Sequence, residues 1–304
     1  MAQEGARSNT RVTHAQVRPL AKLKEVYAYH ELWRTLVRKE LKVKYKNSAL
    51  GFAWSMGNPL MQILVFYVVF AVFLKSAIPS FQFFLMSGVL PWSFFSTTLG
   101  ASTTSITGNA DLVKKVYFPR EILPLAGMGS ALVHFALQSF VLLGLLAVFR
   151  YPFIGWNLLL IPAALLVLIV LASALGILLA AINVEARDTQ HLLEIVLLAW
   201  FWFTPIVYSI RMIFDKMSVR SIGGINLFQI YMLNPMAPVV AAFQRAIYRQ
   251  GYTMLDGHRS NVLLDVPYSW YLWRLGAVLG GATVLMYFAM RVFSRYEGNF
   301  AEEL

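Results

Sequence analysis

Two uncharged stretches of the sequence are each long enough to cross a membrane, and a short, highly charged connector separates them. Residues 76–110 and 122–149 contain no Asp, Glu, Lys or Arg. The eleven residues between them carry five charges, on Asp111, Lys114, Lys115, Arg120 and Glu121. About 18 consecutive apolar residues let a helix cross a bilayer, so both stretches predict membrane spans. A connector that only reverses the chain needs far fewer charged residues than these five. The excess of charge predicts a docking surface.

The composition supports a membrane class. Hydrophobic residues make up 58% of the 304 residues and charged residues 13%, whereas a soluble domain carries about 25% charged residues. The apolar signal lies in long continuous runs, which is typical of helices crossing a bilayer. The sequence therefore predicts an all-α polytopic membrane protein and excludes a soluble globule.

Six helices are predicted to cross the membrane, over residues 52–74, 82–106, 122–149, 156–182, 192–210 and 268–290. Pro205 interrupts the fifth. Arg274 lies near the start of the sixth, where a long side chain can reach the membrane interface.

The part of the chain before the first span is basic. Residues 1–28 lack a sustained apolar face and predict a mobile cytoplasmic tail, and residues 29–304 form one transmembrane domain. On a helix over 29–46, Trp33 and its apolar neighbours share one side, while Arg38 and other basic residues share the opposite side. This pattern favours a helix lying in the membrane interface. A basic tether that only fixes topology is the alternative.

Lysine and arginine predict the orientation. Residues 1–50 contain eleven basic and four acidic residues, and the connector 107–121 adds three basic ones. Short loops rich in Lys and Arg stay in the cytoplasm, so both termini are predicted to be cytoplasmic. The basic residues lie beside the membrane, where they suit anionic lipids, and no nucleic-acid partner is expected.

An interrupted apolar segment precedes the last span. Residues 225–233 and 236–247 are apolar but too short to cross the bilayer, and Asn234-Pro235 separates them. We interpret 225–249 as a re-entrant or interfacial helical hairpin on the outer side. Arg245 and Arg249, near its end, suit either an anionic glycan or lipid headgroups.

The sequence contains no motif for catalysis or for nucleotide binding. A phosphate-binding loop and a dinucleotide fingerprint are absent, the five histidines are dispersed, and there is no cysteine. No metal site or cofactor is predicted on this chain. Acidic residues at predicted cytoplasmic helix ends, such as Glu185 and Glu194, do not favour ion-coupled transport. A transporter of this kind needs an energy source on another protein.

The connector 107–121 has the signals of a short helix. Asn109 suits the N-cap, Asp111 the first turn, and Lys114 and Lys115 the last turn. Val116, Tyr117 and Phe118 then form a predicted apolar anchor for a protein contact. A solvated turn is the alternative. The connector 183–188, which contains Arg187 and Asp188, is predicted on the same side.

Aromatic residues are frequent in and near the predicted spans. Their faces can stack on sugar rings without a fixed hydrogen-bond pattern, whereas the alternative is the ordinary belt of aromatics at the membrane interface. The candidates for a substrate path are Tyr67, Trp92, Phe94, Phe95, Trp200, Trp202 and Tyr208.

Six motifs resemble the permease subunits of ABC exporters that transport O-antigen, teichoic acid or similar polysaccharides. The motifs are LVRKELKVKYKNSALGFAWSMGNPL (36–60), LVKKVYFPREILPL (112–125), NVEARDTQHLL (183–193), FWFTPIVYS (201–209), LNPMAPVVAAFQ (233–244) and FAEEL (300–304). Their order and spacing agree with the family over most of the chain.

The resemblance implies a non-catalytic, homodimeric subunit in a bacterial plasma membrane. ATP and Mg²⁺ would bind separate ATP-binding cassette subunits, and the substrate would be a polyprenyl-pyrophosphate-linked glycan. There are two alternatives: an ABC-type exporter of a small lipid or drug, and a membrane enzyme acting on polyprenyl lipids. The residues implied for ATPase coupling are Asp111, Lys114, Lys115, Tyr117, Phe118, Arg120, Glu121, Arg187 and Asp188. Those implied for the outer gate are Asn234, Pro235, Met236, Arg245 and Arg249.

Overall fold

The computed structural model describes most of the chain after residue 24. The described residues are 25–44, 57, 60–61, 64–73, 78–152, 155–219, 221–222, 224–248, 252–255 and 258–304. Three predicted features lie outside the described residues: the tail up to residue 24, most of the first half of the span 52–74, and Arg249.

Helices dominate the described residues. The α-helices are α1 (His30–Lys44), α2 (Phe81–Thr103), α3 (Ala110–Lys115), α4 (Ile122–Val148), α5 (Leu160–Glu185), α6 (Thr189–Phe203), α7 (Ile210–Met217), α8 (Leu227–Tyr231), α9 (Met236–Ile247), α10 (Tyr268–Tyr296) and α11 (Phe300–Glu303). Residues Tyr67–Phe73 form a π-helix, and short 3₁₀ turns precede α3, α5 and α11. Two antiparallel ribbons, β1 (Ser221–Ile222) with β2 (Ile225–Asn226) and β3 (Tyr252–Leu255) with β4 (His258–Asn261), were not expected from the sequence.

Four helices of the described chain are long and apolar enough to cross a membrane. They are Phe81–Thr103, Ile122–Val148, Trp156–Glu185 and Tyr268–Asn299, and they coincide with four of the six predicted spans. The protein is therefore a multi-pass helical membrane protein. The central helices α2, α4 and α5 pack against one another, and α10 packs along α5.

The helix predicted over 192–210 ends at Phe203. Thr204 is extended, with φ −103° and ψ 140°, because the ring of Pro205 disfavours helical backbone in the residue before it. The 15 residues of α6 span about 22 Å at 1.5 Å per residue, which is less than the bilayer core of about 30 Å. The chain becomes helical again at α7, where the Ser209 hydroxyl accepts a hydrogen bond from the Arg211 amide at 3.1 Å.

The region 225–249 contains two helices separated near Asn234-Pro235, as its apolar pattern predicts. All residues of α9 except Arg245 are buried, because this short helix packs against α2 and α5. Its end is fixed by two tyrosines. The Tyr248 hydroxyl donates to the carbonyl of Pro79 at 2.7 Å, and the Tyr151 hydroxyl donates to the carbonyl of Tyr248 at 2.6 Å.

Buried apolar residues form two clusters at opposite ends of the bundle. The larger, hairpin-side cluster joins α9 to the beginnings of α2, α5 and α10 and to the second half of α4. The connector-side cluster includes Leu36, Phe118, Ile177 and Phe300 and joins α1, the connector 107–121, the end of α5 and the end of α10. Because α1 and the end of α10 belong to one cluster, the structure brings both ends of the described chain to the same end of the bundle.

The apolar side of α1 packs on protein. Leu36 and Val37 are buried, and the Trp33 indole donates to the carbonyl of Leu125 at 2.9 Å. Gly129 permits this approach, since a Cβ there would lie 2.6 Å from Cζ2 of Trp33. The helix predicted for the membrane interface is therefore docked against α4.

Small residues bring α2, α4 and α5 close together just below the connector. A Cβ at Gly127 of α4 would lie 3.1 Å from the backbone of Ala101, and one at Gly176 of α5 would lie 2.8 Å from the side chain of Ser102. The buried Ser102 hydroxyl donates to the carbonyl of Pro124 at 2.8 Å. Small residues allow helices to approach this closely, and we call the packing of Gly127, Gly176 and Ser102 the three-helix junction.

Candidate functional site

The connector 107–121 places its residues on two sides. After α3 the backbone becomes extended at Val116, with φ −128° and ψ 136°, and neighbouring side chains on extended backbone point in opposite directions. Tyr117 is consequently 93% exposed, whereas Phe118 is 4% exposed and belongs to the connector-side cluster. The predicted anchor thus divides into an outward tyrosine and an inward phenylalanine that holds the connector to the bundle.

The charges of α3 face outward. Asp111, Lys114 and Lys115 are exposed. Lys115 Nζ lies 3.7 Å from Asp111 Oδ1, and both side chains are largely exposed. An ion pair of this kind contributes little to stability, so these charges can bind a partner at low cost.

Asn109 occupies the N-cap position of α3, but its side chain makes no cap hydrogen bond. The predicted capping role is therefore wrong. Its Oδ1 accepts from Lys39 Nζ at 2.6 Å, and its Nδ2 donates to the carbonyl of Ser105 at 2.8 Å. Lys39 ties the start of the connector to α1. No sequence pattern indicates this role of Lys39, because it lies 70 positions from Asn109.

Arg120 and Glu121 make their contacts within the chain. The Arg120 guanidinium donates to the carbonyl of Glu297 and lies over the ring of Phe300, 5.9 Å from its centroid. Glu121 is 1% exposed. Among the predicted coupling residues, Phe118, Arg120 and Glu121 therefore fix the connector in place, whereas Asp111, Lys114, Lys115 and Tyr117 form its outer surface.

The second predicted connector lies at the same end of the bundle. Arg187 and Asp188 are exposed in the break between α5 and α6. The last turns of α5 carry Ile177 and Val184, which are buried in the connector-side cluster with Phe118. The structure therefore brings both predicted connectors to one face.

Two grooves flank the ridge formed by α3 and Tyr117. One has a volume of about 470 Å³ and lies between Lys39 and α3. The other has a volume of about 370 Å³ and lies between Tyr117 and Gly298. An exposed aromatic side chain on a charged ridge between two grooves has the shape and chemistry of a protein docking surface.

Residues predicted for the outer gate link α6 to α9 at the opposite end. The Asn234 side chain accepts from the Trp200 indole at 2.8 Å and from the Met236 amide at 3.0 Å. It also donates to the carbonyl of Phe203 at 3.2 Å. Met236 is buried and Arg245 half-buried. The Asn234-Pro235 turn therefore closes the broken end of α6 onto the beginning of α9.

The predicted path aromatics fall into two groups. Trp92, Phe94 and Phe95 are buried, and Trp92 and Phe95 pack against Trp200 with ring centroids 6.4 and 5.2 Å apart. Tyr67 and Trp202 are exposed, and Tyr208 is half-buried, donating to the carbonyl of Trp202 at 2.8 Å. The rings that reach the surface are those of Tyr67 and Trp202, which are exposed, and those of Trp200 and Tyr208, which are half-buried.

Comparison with known proteins gives consistent matches. The family model described as "ABC-2 type transporter" matches residues 31–248. The O-antigen export system permease protein RfbA of Myxococcus xanthus is 34% identical over 283 residues, which cover 93% of this chain and 98% of that protein. The protein of the same name from Klebsiella pneumoniae is 27% identical over 90% of this chain and 95% of its own length.

A more distant relative also matches. The polysialic acid transport protein KpsM of Escherichia coli is 22% identical over 181 residues, which cover 59% of this chain and 70% of that protein. The family match extends from α1 through α9, so it includes the charged connector, the three-helix junction and the buried hairpin. The chain belongs to the membrane-protein family of ABC-2 type transporters.

Proposed function

We propose that this chain is the channel-forming membrane subunit of an ATP-driven exporter of lipid-linked polysaccharide in a bacterial plasma membrane. The observation that carries the proposal is the similarity to O-antigen export permeases over 93% of the chain. ATP and Mg²⁺ bind a separate ATP-binding cassette subunit. The ridge formed by α3 and Tyr117 receives that subunit, with Arg187 and Asp188 as a second contact. Hydrolysis on the partner moves the connector, and through it the helices on either side.

The proposed exporter contains two copies of this chain. Of the residues of α6, only Leu193 is buried in the protomer. Six large apolar side chains of α6 are exposed, namely Leu192, Ile195, Val196, Leu198, Trp202 and Phe203. Pairing with a second copy buries this surface, and the polymer passes between the copies beside Tyr67 and Trp202. The π-helix region, and α6 together with the residues that follow it up to 210, complete the proposed set of six spans, and α8 with α9 forms the outer gate.

Depletion of the subunit tests the substrate. We expect loss of surface polysaccharide and accumulation of lipid-linked polymer inside the cell, because synthesis continues while export stops. Native mass spectrometry of the complex purified with its ATP-binding subunit is expected to give two copies of each chain. Unchanged surface polysaccharide would instead favour a small-lipid or drug exporter. Turnover of a polyprenyl lipid by the purified chain alone would favour an enzyme.

The proposed orientation places the connector in the cytoplasm and α7 outside. The chain has no cysteine, so a single introduced cysteine is the only thiol that a maleimide can label. In spheroplasts, an impermeant maleimide is expected to label Asp215→Cys directly and Lys115→Cys only after lysis, since both side chains are accessible to solvent. The reverse pattern would overturn the orientation while leaving the fold unaffected.

A further inference from the structure

The chain folds back on itself after its last long helix. α10 ends at Tyr296, residues Glu297–Asn299 turn, and α11 follows. We call residues 297–304 the fold-back turn. Isolated helices of this length are unstable, so tertiary contacts must hold it. Phe300 provides them, since it is 1% exposed and packs edge-on against Phe293, with ring centroids 5.3 Å apart and an interplanar angle of 84°.

The fold-back turn lies between the two connectors. α11 contacts α3 on one side and α5, which leads into the connector 183–188, on the other. Phe300 shares the connector-side cluster with Phe118 and Val184. Arg120 adds a polar link, because its guanidinium donates to the carbonyl of Glu297 and covers the ring of Phe300. A guanidinium over an aromatic face is attracted by the ring quadrupole.

From this arrangement we propose that Phe300 is a positioning residue that makes the two connectors and the end of α10 move as one body. The inference rests on the proposed function, since it concerns how a push from the ATP-binding subunit reaches the membrane helices. Phe300 itself does not contact that subunit. It fills the space between α3 and α5, so that displacement of Tyr117 is transmitted to α10 as well as to α4.

The physical reason lies in the attachment of the connector. α3 contains six residues, and only Val113 of them is buried. Without Phe300, a force on this helix can be absorbed by local movement of α3, because packed side chains transmit displacement only while they remain in contact. Coupling between distant sites needs an element whose position both sites bias. The fold-back turn provides that element.

Phe300→Ala tests the inference in the complete complex reconstituted with its ATP-binding subunit. We expect the glycan exported per ATP hydrolysed to fall by roughly 5- to 10-fold, while affinity for the ATP-binding subunit changes by less than about 3-fold, because Tyr117 and the charges of α3 are untouched. Phe300→Leu, which refills most of the volume, is expected to restore the ratio. Glu303→Gln changes an exposed residue of the same helix and serves as the matched control.

Arg120→Gln keeps the test decisive if Phe300→Ala fails to fold. It removes the link to the fold-back turn but leaves Phe300 in place, and it is expected to lower the same ratio by about 3-fold. A normal ratio in the folded fraction of both variants would overturn the inference, whatever their thermal stability. If the wild-type complex itself shows no ATP-dependent export, the proposed function fails instead, so the two failures are distinguishable.

Discussion

Replacing Tyr117 by alanine is expected to abolish ATP-driven export while leaving the membrane domain folded. Tyr117 is almost fully exposed and its side chain has no part in the buried clusters, so its removal costs little folding stability. Buried at an interface, an aromatic anchor of this kind contributes about 2 kcal/mol or more, which corresponds to at least about 30-fold in affinity. The measurement is the dissociation constant of the ATP-binding subunit from the permease in lipid nanodiscs, together with export in the reconstituted complex.

The matched control is another exposed tyrosine at the beginning of the described chain. Tyr27 is 80% exposed and stacks on His30, with ring centroids 6.0 Å apart. Tyr27→Ala is expected to leave both affinity and export unchanged, and Tyr117→Phe to retain most of the affinity, because it keeps the ring. Normal affinity and normal export in Tyr117→Ala would show that the ridge is not the docking surface.

The neighbouring Phe118 explains why the two aromatics must be tested separately. From the sequence, Val116, Tyr117 and Phe118 form one apolar anchor, and a double substitution would be the natural experiment. In the structure Phe118 is a core residue, and truncating a buried phenylalanine typically costs about 3–5 kcal/mol of stability. A double variant would therefore mix loss of docking with loss of folding.

The long helices could be predicted from the sequence, because an uncharged apolar run is a local signal. Three of the four long spans begin and end within a few residues of the stretches that lack charge, whereas Tyr268–Asn299 begins at the predicted residue but continues nine residues past the predicted end at 290. The interruption of the fifth span at Pro205 could also be predicted, but the end of the helix at Phe203 could not. α6 ends before Pro205, since the residue preceding a proline avoids helical backbone.

The internal contacts of the connector could not be predicted, because their partners are distant in sequence. Arg120 meets Glu297 across 177 positions, and Lys39 meets Asn109 across 70. Neither pair leaves a periodic pattern. The charges of the connector look alike in the sequence, yet Lys114 faces solvent and Glu121 is buried. The exposed and the buried charges can be distinguished only from the packing of α5 and the fold-back turn against the connector.

The three-helix junction predicts a large effect on stability. Gly176→Val is expected to destabilise the protein by about 3 kcal/mol, because a Cβ at this position already lies 2.8 Å from both side-chain atoms of Ser102. The Ser102 Cβ is fixed to the backbone of α2, so α2 and α5 must separate to relieve the overlap. Thermal unfolding in detergent is expected to shift downward by on the order of 5 °C. Gly144→Val on α4 is the control, since within the described part of the chain nothing beyond the neighbouring turns of α4 lies within 4 Å of a Cβ there.

A second substitution identifies the overlap as the cause. Ser102→Gly removes both atoms that the new side chain would meet, so the double variant Ser102→Gly with Gly176→Val is expected to recover most of the lost stability. It cannot recover the hydrogen bond from Ser102 to the carbonyl of Pro124, which joins α2 to the beginning of α4 directly after the connector. Energies of residues in contact are not additive, and the expected rescue is the non-additive part. Simple addition of the two single effects would mean that Ser102 and Gly176 do not meet, and would contradict the close packing of α2 and α5 at the junction.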